Sequence, residues 1–128
     1  MPVKIVDASG LGALLFGEPR AAEVANALSG ATLVAPALLW FELASICLKK
    51  IKAHPQQLEQ LLNAFDLVRR MAIATVAVDH GAAVRLAQRT GLTAYDASYL
   101  WLTLELKAEL VTLDAKLRKA ATHAGKPV

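Results

Sequence analysis

Four short apolar runs, residues 3–6, 32–34, 73–78 and 110–113, alternate with longer stretches of helical periodicity. Runs of this length that are bounded by turns and rich in β-branched residues suit buried strands. Between and after them the sequence predicts helices over residues 9–16, 19–28, 37–52, 55–71 and 94–107. Another runs from a cap at Asp79 to a stop at Gly91, and a last one follows Asp114 to about residue 123. Leu58, Leu61, Leu62, Phe65 and Val68 mark one helix face by their three-and-four spacing. The 94–107 segment is apolar nearly all round, which predicts a buried helix. Strands alternating with helices are the pattern of a parallel sheet covered on both faces. The expected fold is therefore a three-layer α/β/α domain with a central parallel sheet of four or five strands. No repeat or linker interrupts it, so residues 1–128 read as one domain.

The chain is long enough to close a core on both faces of a small sheet. Its 55% apolar and 20% charged residues exclude a disordered tail. A single cysteine, Cys47, excludes an internal disulfide and a cysteine-based zinc site, and fits a reducing, cytoplasmic setting. The N-terminus lacks a basic-then-apolar leader and reaches an acid at Asp7. Residues 28–48 carry one formal charge, Glu42, and are followed by Lys49, Lys50 and Lys52, which resembles a membrane anchor. Gly30, Pro36 and the central Glu42 oppose that reading, because a carboxylate at mid-span costs about 2.5 kcal/mol or more. No membrane association is expected. A net charge of +3 is only mildly basic and does not by itself designate nucleic acid. The excess of apolar residues suggests that a partner covers some helix faces.

Chemistry concentrates in four acids. In open α/β sheets, ligands bind beyond the carboxyl ends of the strands. Asp7 follows the first run and Asp114 the last, so two central, parallel strands would deliver both to one sheet edge. Asp96 opens the most apolar helix. Glu42 shares a helix face with Leu38, Leu39 and Ile46, which points it inward. A purely structural reading stands beside this one. Asp7 and Asp114 suit helix N-caps, Thr93 and Asp96 suit a capping box, and Glu42 could pair with a lysine or arginine. If the four acids do meet, like charges cannot all stay ionised unaided. Magnesium or manganese would resolve the conflict, since both prefer carboxylate oxygen, water and phosphate. Such a site can activate water, orient a scissile phosphate and neutralise charge on the leaving oxygen. His54, His80 and His123 are scattered and read as surface residues.

Ile5-Val6-Asp7-Ala8-Ser9, Glu42-Leu43-Ala44, Tyr95-Asp96-Ala97-Ser98-Tyr99-Leu100 and Leu110-Val111-Thr112-Leu113-Asp114 resemble, in order and spacing, the motifs of PIN domains. The small single-domain form is similar to VapC toxins. The resemblance implies a metal-dependent endoribonuclease with Asp7, Glu42, Asp96 and Asp114 as its acidic site and Ser9 and Thr112 as hydrogen-bonding support. It further implies 5′-phosphate products, a homodimer, and a cognate antitoxin whose tail occupies the active-site groove. The chain ends at Gly125-Lys126-Pro127-Val128, where relatives often continue into a final strand. Candidate RNA contacts are Lys49, Lys50, Lys52, Arg69, Arg70, Lys116, Arg118 and Lys119, each of which also suits a solvated helix face. Trp40, Tyr95, Tyr99 and Trp101 could stack bases, although packing suits most of them better.

Other functions use parts of this pattern. A haloacid-type phosphatase needs a second carboxylate two residues after the first, where this chain has Ser9. A phospho-receiver domain needs adjacent acids after the first strand, and none accompany Asp79 as acceptor. A non-catalytic protein-binding module would use the acids only as caps.

Overall fold

A computed structural model describes residues 1–124. Four strands, β1 (Val3–Val6), β2 (Thr32–Ala35), β3 (Ile73–Thr75) and β4 (Glu109–Val111), form one sheet in the order β3-β2-β1-β4. Every pairing is parallel. Helices α1 (Ala8–Leu15) and α2 (Ala21–Leu28) join β1 to β2, and α3 (Leu38–Ala53) and α4 (Leu58–Arg69) join β2 to β3. Helices α5 (His80–Thr90) and α6 (Ala94–Leu106) lead to β4, and α7 (Ala115–His123) follows it.

Side-chain alternation along the strands builds two cores. Ile5, Val34 and Leu110 stand in register on one face and pack against Leu86 of α5, Leu100 of α6 and Leu117 of α7. Val6, Leu33, Ala35 and Val111 face the other way, against Leu11 of α1, Val24 of α2, Leu39 and Leu43 of α3 and Val68 of α4. The expected three-layer architecture is therefore present with four strands among the described residues. A fifth strand would fall on residues 125–128, outside the described part.

Several boundaries differ from the sequence reading for local reasons. β3 stops at Thr75 rather than 78 because its neighbour β2 ends at Ala35 and turns away at Pro36. After the Val76 amide donates to the Ala35 carbonyl at 3.0 Å, there is no further ladder to join. Residues 18–20 form a turn closed by the Ala21 amide on the Glu18 carbonyl, so α2 starts after Pro19 and not at it. Pro55–Gln57 is a separate tight turn before α4. β4 lies at the sheet edge among the described residues rather than in its middle, but it is parallel to β1 and adjacent to it. Residues 28–48 divide into the end of α2, β2 and the first half of α3, and no described helix is long and apolar enough to cross a membrane. Helix α6 buries Ala97, Tyr99, Leu100, Leu102 and Thr103, as its composition predicts, yet leaves Tyr95 and Leu106 exposed.

The order β3-β2-β1-β4 means that the chain steps outward from β1 in one direction and then crosses back to the other side. The crevice between the carboxyl ends of β1 and β4 is thus a topological switch point, the place where this class of sheet binds ligands.

Helix α5 ends at Gly91 with φ 76, and a Cβ there would meet no atom within 4 Å. The cost of a side chain at Gly91 is therefore conformational alone. Gly91→Ala should lower stability by about 1 kcal/mol, or some 4 °C in Tm. An unchanged thermal melt would mean that α5 is not terminated by this left-handed residue.

Candidate active site

Asp7 leaves β1 as the N-cap of α1, its Oδ1 accepting from the Gly10 amide at 2.9 Å. A side chain at Gly10 would put its Cβ 3.2 Å from the Val111 carbonyl, so glycine lets α1 start hard against the end of β4. Asp7 is only 5% exposed. Thr112 donates to its Oδ2 at 2.6 Å, and the Ser9 hydroxyl lies 2.8 and 3.0 Å from its two oxygens. Ser9 in turn accepts from the Leu113 amide at 3.0 Å, and Thr112 accepts from the Asp114 amide at 3.0 Å. These bonds take over where the β1–β4 ladder ends and explain why β4 stops at Val111. Asp114 then caps α7, accepting from the Leu117 amide through Oδ1.

Asp96 lies in the first turn of α6, where Thr93 caps the helix through the Asp96 amide. The capping readings of Asp7, Asp114 and Thr93 are thus all correct, and they coexist with a shared site. Glu42 is half-buried on α3. Its Oε1 accepts from the Tyr99 hydroxyl at 2.6 Å, so its partner is a tyrosine of α6 and not a lysine or arginine.

All four acids line one open cleft of about 280 Å³ at the switch point, together with Ala8, Ser9, Ser45, Ile46, Lys49 and Tyr99. Thr112 supports the cleft from behind through Asp7. Tyr99, Ser45 and Lys49 complete a lining that the sequence reading did not assemble. Helical spacing carried the signal: Tyr99 is three residues after Asp96, while Ser45 and Lys49 are three and seven after Glu42. The stacking candidates are otherwise placed. Trp40 lies under Arg69 at 5.8 Å, Trp101 packs on the first core, and Tyr95 is exposed away from the cleft. His54, His80 and His123 are exposed and outside it.

Electrostatics bind the acids into one unit. Burial pushes the Asp7 carboxyl up, against the pull of Thr112, Gly10 and Ser9, and Asp96 adds to the rise. Burial also raises Glu42, with Asp96 and Asp7 contributing and the Tyr99 bond opposing. Asp96 is raised by burial and then by Asp114, while Lys116 lowers it. Burial and the Glu42 carboxylate push the Tyr99 hydroxyl far above its ordinary value, so it stays a donor.

The donor set suits a hard divalent cation. A carboxylate has about four lone-pair sites. Asp7 spends most of its own on three donors, Glu42 keeps Oε2, and Asp114 keeps Oδ2. Asp96 accepts no hydrogen bond at its carboxylate from the described residues. No three Asp, Glu, His or Cys side chains among the described residues converge tightly enough to enclose an ion unaided. The four acids are spread around the cleft and do not close on one point. Magnesium tolerates this, since it usually binds through one or two carboxylates and keeps several waters.

Metal-free protein should register the strain directly. The folded state holds protons on Asp7, Glu42 and Asp96 more tightly than the unfolded chain does. The cluster's contribution to stability is therefore fully present below the ordinary carboxylate values and is lost as pH rises through the raised ones. In chelator, Asp7→Asn should melt above wild type at pH 7.5, and the gap should close toward pH 4. A gap that does not depend on pH would show that Asp7 carries no such penalty.

The comparisons with known proteins agree with this description. The family model described as PIN domain matches residues 4–122. No curated protein matches the chain by sequence. The crystal structure of PAE2754 from Pyrobaculum aerophilum is similar with a TM-score of 0.80 at 21% identity, covering 99% of this chain and 88% of that one. The crystal structure of Mycobacterium tuberculosis VapC20 (Rv2549c), a sarcin–ricin loop cleaving toxin, is similar with a TM-score of 0.66 at 13% identity, covering 96% and 95%. At these identities the likeness is one of fold. Because the family match spans from the first strand to the last helix, it concerns the whole domain and not one motif, and the chain belongs to the PIN domain family.

Proposed function

We propose that this protein is a divalent-metal-dependent endoribonuclease, the toxin of a toxin–antitoxin pair. The observation that carries the reading is the gathering of Asp7, Glu42, Asp96 and Asp114 around one cleft at the sheet's switch point. Burial and neighbouring acids raise the proton affinity of Asp7, Glu42 and Asp96, and such a cluster is costly to keep ionised without a counter-charge. Family membership supports nuclease chemistry, and the fold shared with a sarcin–ricin loop cleaving toxin supports a nucleic-acid loop as substrate, which we take to be RNA.

Magnesium or manganese bound here would supply Lewis acidity at the scissile phosphate. Asp96 and Asp114 offer the oxygens most open to an ion, and Asp7 and Glu42 complete the set directly or through water. Ser9 and Thr112 fix the Asp7 carboxylate, and Tyr99 fixes Glu42. Products would carry 5′-phosphates. The remaining assignments belong to the same reading: a cytoplasmic protein, a homodimer, and an antitoxin whose tail fills the groove. Phe41 and Leu48, exposed and two turns apart on α3, support a covered face.

Wild type, Asp7→Asn and Asp96→Asn should be incubated with structured and single-stranded RNA plus manganese. The expected result is cleavage by wild type alone, abolished by chelator and reduced roughly 100-fold in each variant. Equal cleavage by all three would trace the activity to a contaminant or another site. Absence of both cleavage and a manganese-induced thermal shift would favour the protein-binding module, in which Asp7 and Asp114 serve only as caps.

A further inference from the structure

Of the eight candidate RNA-contacting cations, four are already engaged. Lys50 pairs with Glu18 at 2.8 Å and sits 5.5 Å over the Phe16 ring. Lys116 donates to the Gly91 carbonyl, Arg118 to the Thr112 carbonyl, and Arg69 lies over Trp40. Lys49 is exposed and makes no ion pair or hydrogen bond among the described residues. It is also the one cation among the residues lining the acid cleft.

Its position follows from α3. Glu42, Ser45, Ile46 and Lys49 all line the cleft, and their spacing of three, four and seven makes them one stripe of the helix. At about 1.5 Å per residue, Lys49 begins about 10 Å along the axis from Glu42. The stripe therefore runs from the acids to the cleft mouth. Beyond the mouth a second groove of about 360 Å³ continues between α1 and α3, sharing Ala8, Ser9, Ile46 and Lys49 with the first. Lys49 thus stands where the two grooves join.

We propose that a single RNA strand runs from the acid cleft into the groove between α1 and α3, with Lys49 binding the phosphate next to the scissile one. The proposal rests on the ribonuclease reading for its substrate. A cleft of about 280 Å³ cannot enclose several nucleotides, so a longer strand must leave it. The other charged residues lining that groove, Lys50 and Glu18, neutralise each other, which leaves Lys49 at the junction as its unengaged cation. In this role Lys49 is a positioning residue: it sets affinity and register and leaves the chemical step to the acids.

The test compares the full chain with its Lys49→Ala, Lys49→Arg and Lys52→Ala forms. Lys52 lies on the same helix, exposed and outside both grooves, so its loss controls for net charge. Binding of a fluorescein-labelled single-stranded RNA is read by anisotropy across a salt series with magnesium. Cleavage of the same RNA and hydrolysis of bis(4-nitrophenyl) phosphate, which has no neighbouring phosphate, are followed with manganese. Lys49→Ala should weaken RNA binding and raise KM about 5-fold, and make the slope of log affinity against log salt shallower by roughly 0.7. Its kcat and its rate on bis(4-nitrophenyl) phosphate should match wild type. Lys49→Arg should retain most of the affinity, and Lys52→Ala should keep the wild-type slope. Equal effects of Lys49→Ala and Lys52→Ala, or a parallel loss on both substrates, would overturn the proposal. If wild type cleaves neither substrate, the ribonuclease reading has failed, and the anisotropy comparison still decides whether Lys49 holds a phosphate.

Discussion

Three donors converge on the Asp7 carboxylate at the end of the central part of the sheet, and much of the molecule is organised by that meeting. The Gly10 amide fixes where α1 begins, Ser9 turns back from the first turn of that helix, and Thr112 reaches across from the end of β4. Through Ser9 and Thr112 the same carboxylate reaches the Leu113 and Asp114 amides. It thereby sets the path of the chain into α7 and the position of the second acid. Gly10 is the permissive element, since a Cβ would press on the Val111 carbonyl. The aspartate at this point is both the fastener between two strands and the innermost acid of the cleft.

The arrangement sets structural and electrostatic demands against each other. As an N-cap and hydrogen-bond acceptor, Asp7 favours the ionised form. As a buried group facing Asp96, it resists ionisation, and burial wins. Glu42 repeats the conflict on α3, with Tyr99 as the favourable partner and two acids as the unfavourable ones. A protein built for stability alone would not place four such acids together, because uncompensated buried charge destabilises. Their persistence on a sound scaffold is the strongest physical argument for an external counter-charge. The carboxylates form no cage of three or more ligands among the described residues, so an ion held here would keep water in its coordination shell.

The layering of the fold was legible because each strand carries β-branched residues between clear turn signals, and because Asp79, Gly91 and Thr93 mark helix ends by side-chain chemistry that acts locally. Strand ends were less legible, since they depend on neighbours. β3 stops where β2 turns away, and β4 stops just before the Leu113 and Asp114 amides donate to the Ser9 and Thr112 hydroxyls. The fourfold set of acids was readable from position and from its likeness to PIN domains. The bonds among its members were not. The Tyr99–Glu42 bond joins residues 57 apart in sequence, and the Thr112–Asp7 bond joins residues 105 apart. No local pattern encodes either. Tyr99 reads as core, and it is core: its ring is buried while its hydroxyl emerges in the cleft.

The same helix that brings Glu42 to the acids carries Lys49 away from them, and this divides the work of binding a polyanion. A cation placed among the acids would neutralise them and weaken the site for a metal ion. One placed on another face would attract nucleic acid without directing it. Seven residues, two turns of α3, keep the two charges on one stripe and well apart. On the proposed ribonuclease reading, phosphate near the acids would need a metal ion as counter-charge, whereas at the cleft mouth Lys49 would supply it. A strand would then be held at Lys49 with or without a metal ion at the acids, and aligned for reaction only with one.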